Sequence, residues 1–316
     1  MKHATLRQLR ILAAVVSEGS FSGAAKSLHL TQPAVSLQVK DLEQSCGLAL
    51  LERSGRGIRP TEAGREVLRA TQGVERELKS AEDTLSSLKG LRGGLLTVAV
   101  ISTAQYFAPR LLAEFCRRHG DVKLRLDVCN RETILGYLDR DEIDLAVMGR
   151  PPAEFPTAAD AFAQNPHVII AAPGHRLARR RRIAVPQLLD EPFIARETGS
   201  GTRELAESLF ARHGGAFAPS LVMNSNEAIK QAVIAGRGVS FLSLHTVALE
   251  LATGTLARLD IVGGPVVRRW YLVHRKDKRL SPVAVAFRAF MLAEGAGFVD
   301  SLVARAASPG RPRAAR

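Results

Sequence analysis

Gln32, Pro33, Ser36, Leu37 and Lys40 recur at a spacing that places them on one side of a helix, opposite the apolar stripe Val35, Val39 and Leu42. An amide, a hydroxyl and an ammonium on one short face suit contact with nucleic acid. Gln32 can donate and accept together at an adenine edge, while Ser36 and Lys40 reach phosphate or a neighbouring base. Further along, Arg53, Arg56 and Arg59 sit in ERSGRGIRP, where Gly55 and Gly57 let a hairpin turn. Three guanidinium groups on such a hairpin can hold phosphates or enter a minor groove, although a solvated charged loop explains the same run.

These groups need elements to hold them. Ser20 is placed to cap a helix whose buried face is Phe21, Ala24, Ala25 and Leu28, and the chain then turns at His29 and Leu30. Thr31 caps the next helix, whose first turn accepts Pro33 because an amide hydrogen there has no helical partner. Leu6, Leu9, Ala13 and Val16 mark a helix upstream. The order is helix, helix-turn-helix and wing, with the second helix of the pair offering a polar N-terminal face of the kind that lies in a major groove.

From Thr61 to Lys89 one helical pattern runs without proline, and its seam Val67, Thr71, Val74, Leu78, Ala81, Leu85, Leu88 alternates steps of four and three. That period keeps the seam on one side only if two helices supercoil, so the stretch is expected to dimerise. Gly90, Gly93 and Gly94 end it as a hinge. Beyond lie strand-like LLTVAV (95–100), VKLRLDV (122–128), DLAVM (144–148), HVIIAAP (167–173), a strand near Leu221, GVSFLS (238–243) and RRWYLVH (268–274), separated by helical stretches. That alternation predicts a parallel sheet covered by helices on both faces.

Ligands of such sheets sit beyond the carboxyl ends of the strands, where helix starts present free amide hydrogens. Ser102 and Thr103 follow the first strand, Asn130 to Thr133 follow the second, and Gly199 to Arg203 open a later helix. Hydroxyls, glycines and arginines there suit a phosphorylated or carboxylated metabolite, although Ser, Thr and Asn cap helices in any case.

The composition agrees without deciding. A net charge of +13 is compatible with nucleic acid, yet much of the excess lies in Arg176, Arg179 to Arg182 and the RPRAAR tail, which a solvated surface explains more simply. Cys46, Cys116 and Cys129 show no metal spacing and read as buried thiols. No apolar run reaches the length of a membrane span, so a cytoplasmic chain without a membrane partner is expected. Ser102, Ser200, His167, His175 and Asp144 do not form a nucleophile elbow, and HExxH is absent, which argues against an enzyme and against a metal.

On GSFSGAAKSLHLTQPAVSLQVKDLE, LLERSGRGIRPTEAG and NSNEAIKQAVIAGRGVSFLS the chain resembles the LysR-type transcriptional regulators, from about Leu6 to about Phe290. STAQYFAPRLLAEFCRRH, CNRETILGYL, DEIDLAVMGRPP and VVRRWYLVHRKDKRLSP are most similar to its CbbR branch, the regulators of RuBisCO and other Calvin-cycle operons. Leu37 stands where many members carry arginine. The resemblance implies a winged helix-turn-helix over 1–60, a linker helix over 61–90 and a periplasmic-binding-protein-like α/β effector domain over 91–302. The effector domain would divide into subdomain one (91–161 and 267–302) and subdomain two (162–266), with 303–316 a disordered tail.

It implies, further, an activator that binds promoter DNA through Gln32, Pro33, Ser36, Lys40, Arg53, Arg56 and Arg59. The implied assembly is a homotetramer that meets RNA polymerase and carries no resident cofactor. Because the two subdomains would face one cleft, Ser102, Thr103, Arg131, Thr202 and Arg203 become the expected effector contacts, for a sugar phosphate, phosphoenolpyruvate, NADPH or ATP. A family member serving amino-acid or aromatic catabolism, with a carboxylate effector, is the alternative within the family. A solute-binding or transferase-like α/β protein is the alternative outside it.

Overall fold

The structure is a computed structural model, and it describes Met1, Ala4–Gly55, Gly57–Leu88 and Gly94–Ala307. Arg56, the glycines at 90 and 93, and residues 308–316 lie outside the described residues. Two compact units divide near Glu82.

The first unit holds α1 (Leu6–Glu18), α2 (Phe21–Ser27), α3 (Gln32–Cys46), β1 (Leu51–Ser54), β2 (Gly57–Pro60) and the start of α4 (Glu62–Leu88). Its helix ends are fixed by side chains, as the sequence predicts: Ser20 Oγ accepts from Gly23 N at 3.0 Å and Thr31 Oγ1 from Ala34 N at 3.4 Å. Leu12, Val15, Val35, Val39, Leu42 and Leu50 close one core, each such side chain contributing about 1.5–3 kcal/mol when fully buried. The wing is tied to that core by polar bonds. Glu43 accepts from Leu50 N at 2.8 Å and Leu51 N at 3.2 Å, and Ile58 N donates to Gly19 O at 3.0 Å. On α4, Val67 and Thr71 belong to this core, whereas Val74, Leu78 and Leu85 are all more than 40% exposed. The expected seam is therefore divided, its first two members packing at home.

The second unit contains β3 (Leu95–Ile101), α5 (Ala108–Arg118), β4 (Lys123–Cys129), α6 (Arg131–Asp139), β5 (Leu145–Met148) and the long β6 (Thr157–Ala171). There follow β7 (Phe193–Arg196), α7 (Gly201–Ala211), β8 (Leu221–Met223), α8 (Asn226–Ile234), β9 (Val239–Ser243), α9 (Ala248–Thr253), β10 (Ala257–Arg258), β11 (Val266–Arg275) and α10 (Pro282–Ala307). The strand order is β4-β3-β5-β11-β6-β9-β7-β8, with β10 beside β6. The expected parallel sheet is thus mixed: parallel sets at each end are joined by antiparallel β11 and β6, which run past each other from Thr157 opposite Arg275 to His167 opposite Val266. Those two strands are the crossings between subdomains. Leu96, Phe107, Phe115, Trp270 and Phe287 centre one core, and Phe193, Leu205, Phe210 and Phe241 another.

Two sequence expectations change here. Residues 303–307 continue α10 rather than beginning a tail. Pro282–Ala304 also has the length and apolarity of a membrane-crossing helix, although its Phe287, Met291 and Val299 are buried in the first subdomain's core.

Gly64, in the first turn of α4, marks the closest backbone approach in the first unit. A Cβ there would stand 2.0 Å from Leu50 O. Gly64→Ala should force the wing's base away from the helix and cost about 1–3 kcal/mol, read as a lowered thermal midpoint. An unchanged midpoint would show that the Leu50 turn yields freely.

Candidate functional site

Two places bring the expected residues together. On α3, Gln32, Pro33 and Lys40 are exposed and Ser36 is half-buried, while Val35 and Val39 hold the opposite face in the core. Leu37 is 56% exposed in the middle of this polar face. In the wing, Glu52 pairs with Arg59 and Arg53 with Ile58, so the pleat sends Arg53 and Arg59 to opposite faces. They cannot both lie against one surface as a single clamp.

The second place is a cleft between the subdomains of the second unit, bounded by the carboxyl ends of β3, β4 and β7 and crossed by β6 and β11. Ser102, Thr103, Arg131 and Thr202 line it, as expected. Arg203 does not: its Nε donates to Glu207 Oε1 at 2.8 Å and its Nη1 to Arg196 O at 3.2 Å. One residue along α7 from Thr202, a side chain is rotated by about 100°, which takes Arg203 out of the lining.

The sequence reading missed the arginine that dominates the cleft. Arg196, 5% exposed at the end of β7, grips Glu197 with both Nε (2.7 Å) and Nη2 (2.8 Å). Its Nη1 donates to Asn226 Oδ1 at 2.7 Å, and Nη2 also reaches Ser102 Oγ at 3.3 Å, joining the two subdomains. Its only sequence signal is its place just before the TGSGT turn.

Gly199, at φ +83°, lets that turn present amide hydrogens to the cleft at the start of α7. Ser200 precedes the helix without capping it, so its hydroxyl is not committed there. Asn130, by contrast, caps α6 by accepting from Thr133 N at 2.9 Å, the plainer role. Arg131 Nη1 is held by Arg150 O at 2.6 Å.

The crossing strands supply the floor. His167 Nδ1 donates to Asn165 O at 3.1 Å, its ring stacks on Phe241, and Ser243 Oγ donates to Asn165 Oδ1 at 2.8 Å. Burial pushes the His167 imidazole down to about 4, so it is neutral, with its lone pair on Nε2. Four arginines, Arg131, Arg150, Arg196 and Arg268, then face three glutamates, Glu132, Glu197 and Glu204, across the lining. The balance is positive, an arrangement suited to a small oxyanion.

Residues 89–296 match the LysR substrate binding domain, and residues 6–65 match the bacterial regulatory helix-turn-helix protein of the lysR family. The chain belongs to the LysR family of transcriptional regulators. This LysR-type regulator is 49% identical over 294 residues to the RuBisCO operon transcriptional regulator of Allochromatium vinosum, covering 93% of this chain and 97% of that one. It is 46% identical over 295 residues to the transcriptional regulator CfxR of Cupriavidus necator, covering 93% of each. Among solved structures, the Synechocystis CcmR regulatory domain in complex with 2-PG is 42% identical with a TM-score of 0.61, covering 64% of this chain and 96% of that one. The winged head and the two-subdomain effector domain expected from sequence are those of this family.

The buried histidines make the regulator's stability depend on pH. His245, packed against Phe107 and Trp270, is also pushed down to about 4 by burial. Both values lie below the unfolded value of 6.5, so stability is complete above pH 6.5 and is lost as pH falls toward 4, because the unfolded chain takes up protons that the folded one refuses. Each histidine should cost about 2 kcal/mol by pH 5. The check is denaturant midpoints at pH 7.5 and pH 5: His167→Gln should lose less between them than the wild type, and parallel losses would assign the acid sensitivity to other groups.

Proposed function

We propose that this regulator activates carbon-fixation genes, the RuBisCO operon first among them, from the cytoplasm and without enzymatic activity, in response to a small anionic metabolite held in the interdomain cleft. One observation carries the reading: the 49% identity to a RuBisCO operon regulator extends across 93% of the chain, effector domain included. The head alone would fit any member of the family. The positive lining of the cleft and the 2-PG held by the Synechocystis relative support an oxyanion, and leave sugar phosphates, phosphoenolpyruvate, NADPH and ATP as further candidates to compare with 2-PG.

Gln32, Pro33, Ser36 and Lys40 would read and hold promoter DNA, with Arg53, Arg56 and Arg59 on phosphates to either side of the wing. Val74, Leu78 and Leu85 leave an apolar seam that a second copy of α4 would cover, and a dimer of dimers acting with RNA polymerase completes the proposed unit.

Two measurements test this. Gln32→Ala should weaken binding to the cognate promoter by about 1–3 kcal/mol and leave random DNA nearly untouched, in electrophoretic mobility shift at fixed salt. Equal losses on both would make Gln32 a positioning residue. Deleting the gene should abolish autotrophic growth and the RuBisCO transcript while sparing growth on organic carbon. Unchanged transcript would end the carbon-fixation assignment and leave the DNA-binding one in place.

A further inference from the structure

The crossing strands have two faces, and only one of them looks into the cleft. Register sets Arg268 opposite Asn165 and Arg269 opposite Gln164, so alternation turns Asn165, His167 and Arg268 toward the cleft and Gln164 and Arg269 the other way. On that reverse side lies a second, open concavity lined by Arg150, Arg269, Gln164, Val267 and Tyr271 with the Gly149–Pro151 turn, and bordered by Arg268. No carboxylate lines it. The cleft balances four arginines against three glutamates, whereas this groove gathers two arginines, with Arg268 at its margin, against none. Among the described residues, Arg268 and Arg269 form no ion pair or hydrogen bond through their guanidinium groups, and Arg150 pairs with Glu204 at 3.2 Å, both partners being exposed, with the Glu154 carboxylate near enough to feel its charge.

We propose that this groove is a second anion site, for a small phosphate or pyrophosphate group, and that its ligand opposes the one in the cleft. The Arg150 and Arg269 guanidinium groups, with no carboxylate in the lining, can donate to an oxyanion beside the Gln164 amide and the Tyr271 hydroxyl, while Arg268, turned toward the cleft, stands at the groove's margin. The opposition follows from shared residues: Gly149, Arg150 and Arg268 line both spaces. An anion in the groove draws Arg150 toward itself and so removes positive charge from the cleft. It also draws Arg150 from Glu204 on α7, an ion pair that joins the two subdomains. Each anion therefore lowers the affinity for the other, and by the same factor in both directions. The opposition rests on the reading that the cleft takes an anion; the groove does not.

Calorimetry on the full-length protein tests both parts, with pyrophosphate as the probe for the groove and 2-PG for the cleft, at about 0.15 M salt to screen diffuse attraction. Expected are one pyrophosphate per chain and at least tenfold weaker binding in Arg269→Ala, with substantial recovery in Arg269→Lys. Binding should persist in Thr202→Val, a cleft variant, and 2-PG affinity should be unaltered in Arg269→Ala when pyrophosphate is absent. Saturating 2-PG should weaken pyrophosphate several-fold, and pyrophosphate should weaken 2-PG equally. Pyrophosphate binding that ignores Arg269, or that vanishes in Thr202→Val, would overturn the groove, as would the absence of any pyrophosphate heat. Loss of duplex DNA binding in Arg269→Ala without such heat would overturn it in favour of a nucleic-acid contact. Binding through Arg269 in a protein that takes no 2-PG would uphold the groove and remove the cleft reading instead.

Discussion

The antiparallel pairing of β6 with β11 is the constraint on which the second unit depends. Both strands cross from one subdomain to the other, so any change in subdomain orientation must bend or twist this ladder. Other links are few and made by side chains: Arg196 to Ser102 at 3.3 Å, Tyr106 to Glu227 at 2.6 Å and Arg150 to Glu204 at 3.2 Å. A ligand shifts the balance between two orientations only through contacts that differ between them. The cleft meets that condition, because its lining comes from both subdomains and from the ladder itself.

The electrostatics of the cleft are set before any ligand arrives. Arg196 is buried, and a buried guanidinium is tolerable only when its charge and donors are matched, which Glu197 and Asn226 accomplish. Holding it costs the ligand nothing at the moment of binding. Glu197 also cancels most of its charge, so the net attraction for an anion falls to the less tightly held Arg131, Arg150 and Arg268. On the proposed reading, orientation would come from the fixed groups, the amides of the TGSGT turn and the hydroxyls of Ser102, Thr103 and Thr202. The two tasks, attraction and positioning, are thus assigned to different residues.

Helices and their caps were legible in the sequence because the signal is local: Ser20, Thr31 and Asn130 each sit beside the amide they satisfy. The crossing strands were less so. TAADAFAQNPH does not look like a strand, having small and polar residues and Pro166 within it, yet it forms most of β6 because β11 pairs with it from a hundred residues away. Only its apolar end, HVIIAAP, was read. FIAR is only four residues long, too short for alternation to mark it as a strand, and Arg196 is hidden with it. Arg203 neighbours Thr202 in a motif, but helical rotation separates neighbours, and a motif does not record which of them faces the cleft. Arg53 and Arg59 illustrate the same limit in a strand, where their separation onto two faces follows from a register that composition cannot supply.

Leu37 extends this argument to DNA. A leucine 56% exposed at the centre of a polar face is poorly placed for water, and Val35 and Val39 already satisfy the core behind it. If α3 lies in the major groove as proposed, Leu37 can neither donate to nor accept from a base edge. What it can do is cover a thymine methyl, the one apolar feature of that groove, with the amide of Gln32 more than one helical turn toward the N-terminus. Where an arginine would favour guanine through O6 and N7, leucine would favour thymine and would exclude polar edges by leaving them unpaired. Specificity at that base pair would then rest on shape and desolvation, and the positive charge needed for affinity would have to come from Lys40 and the wing.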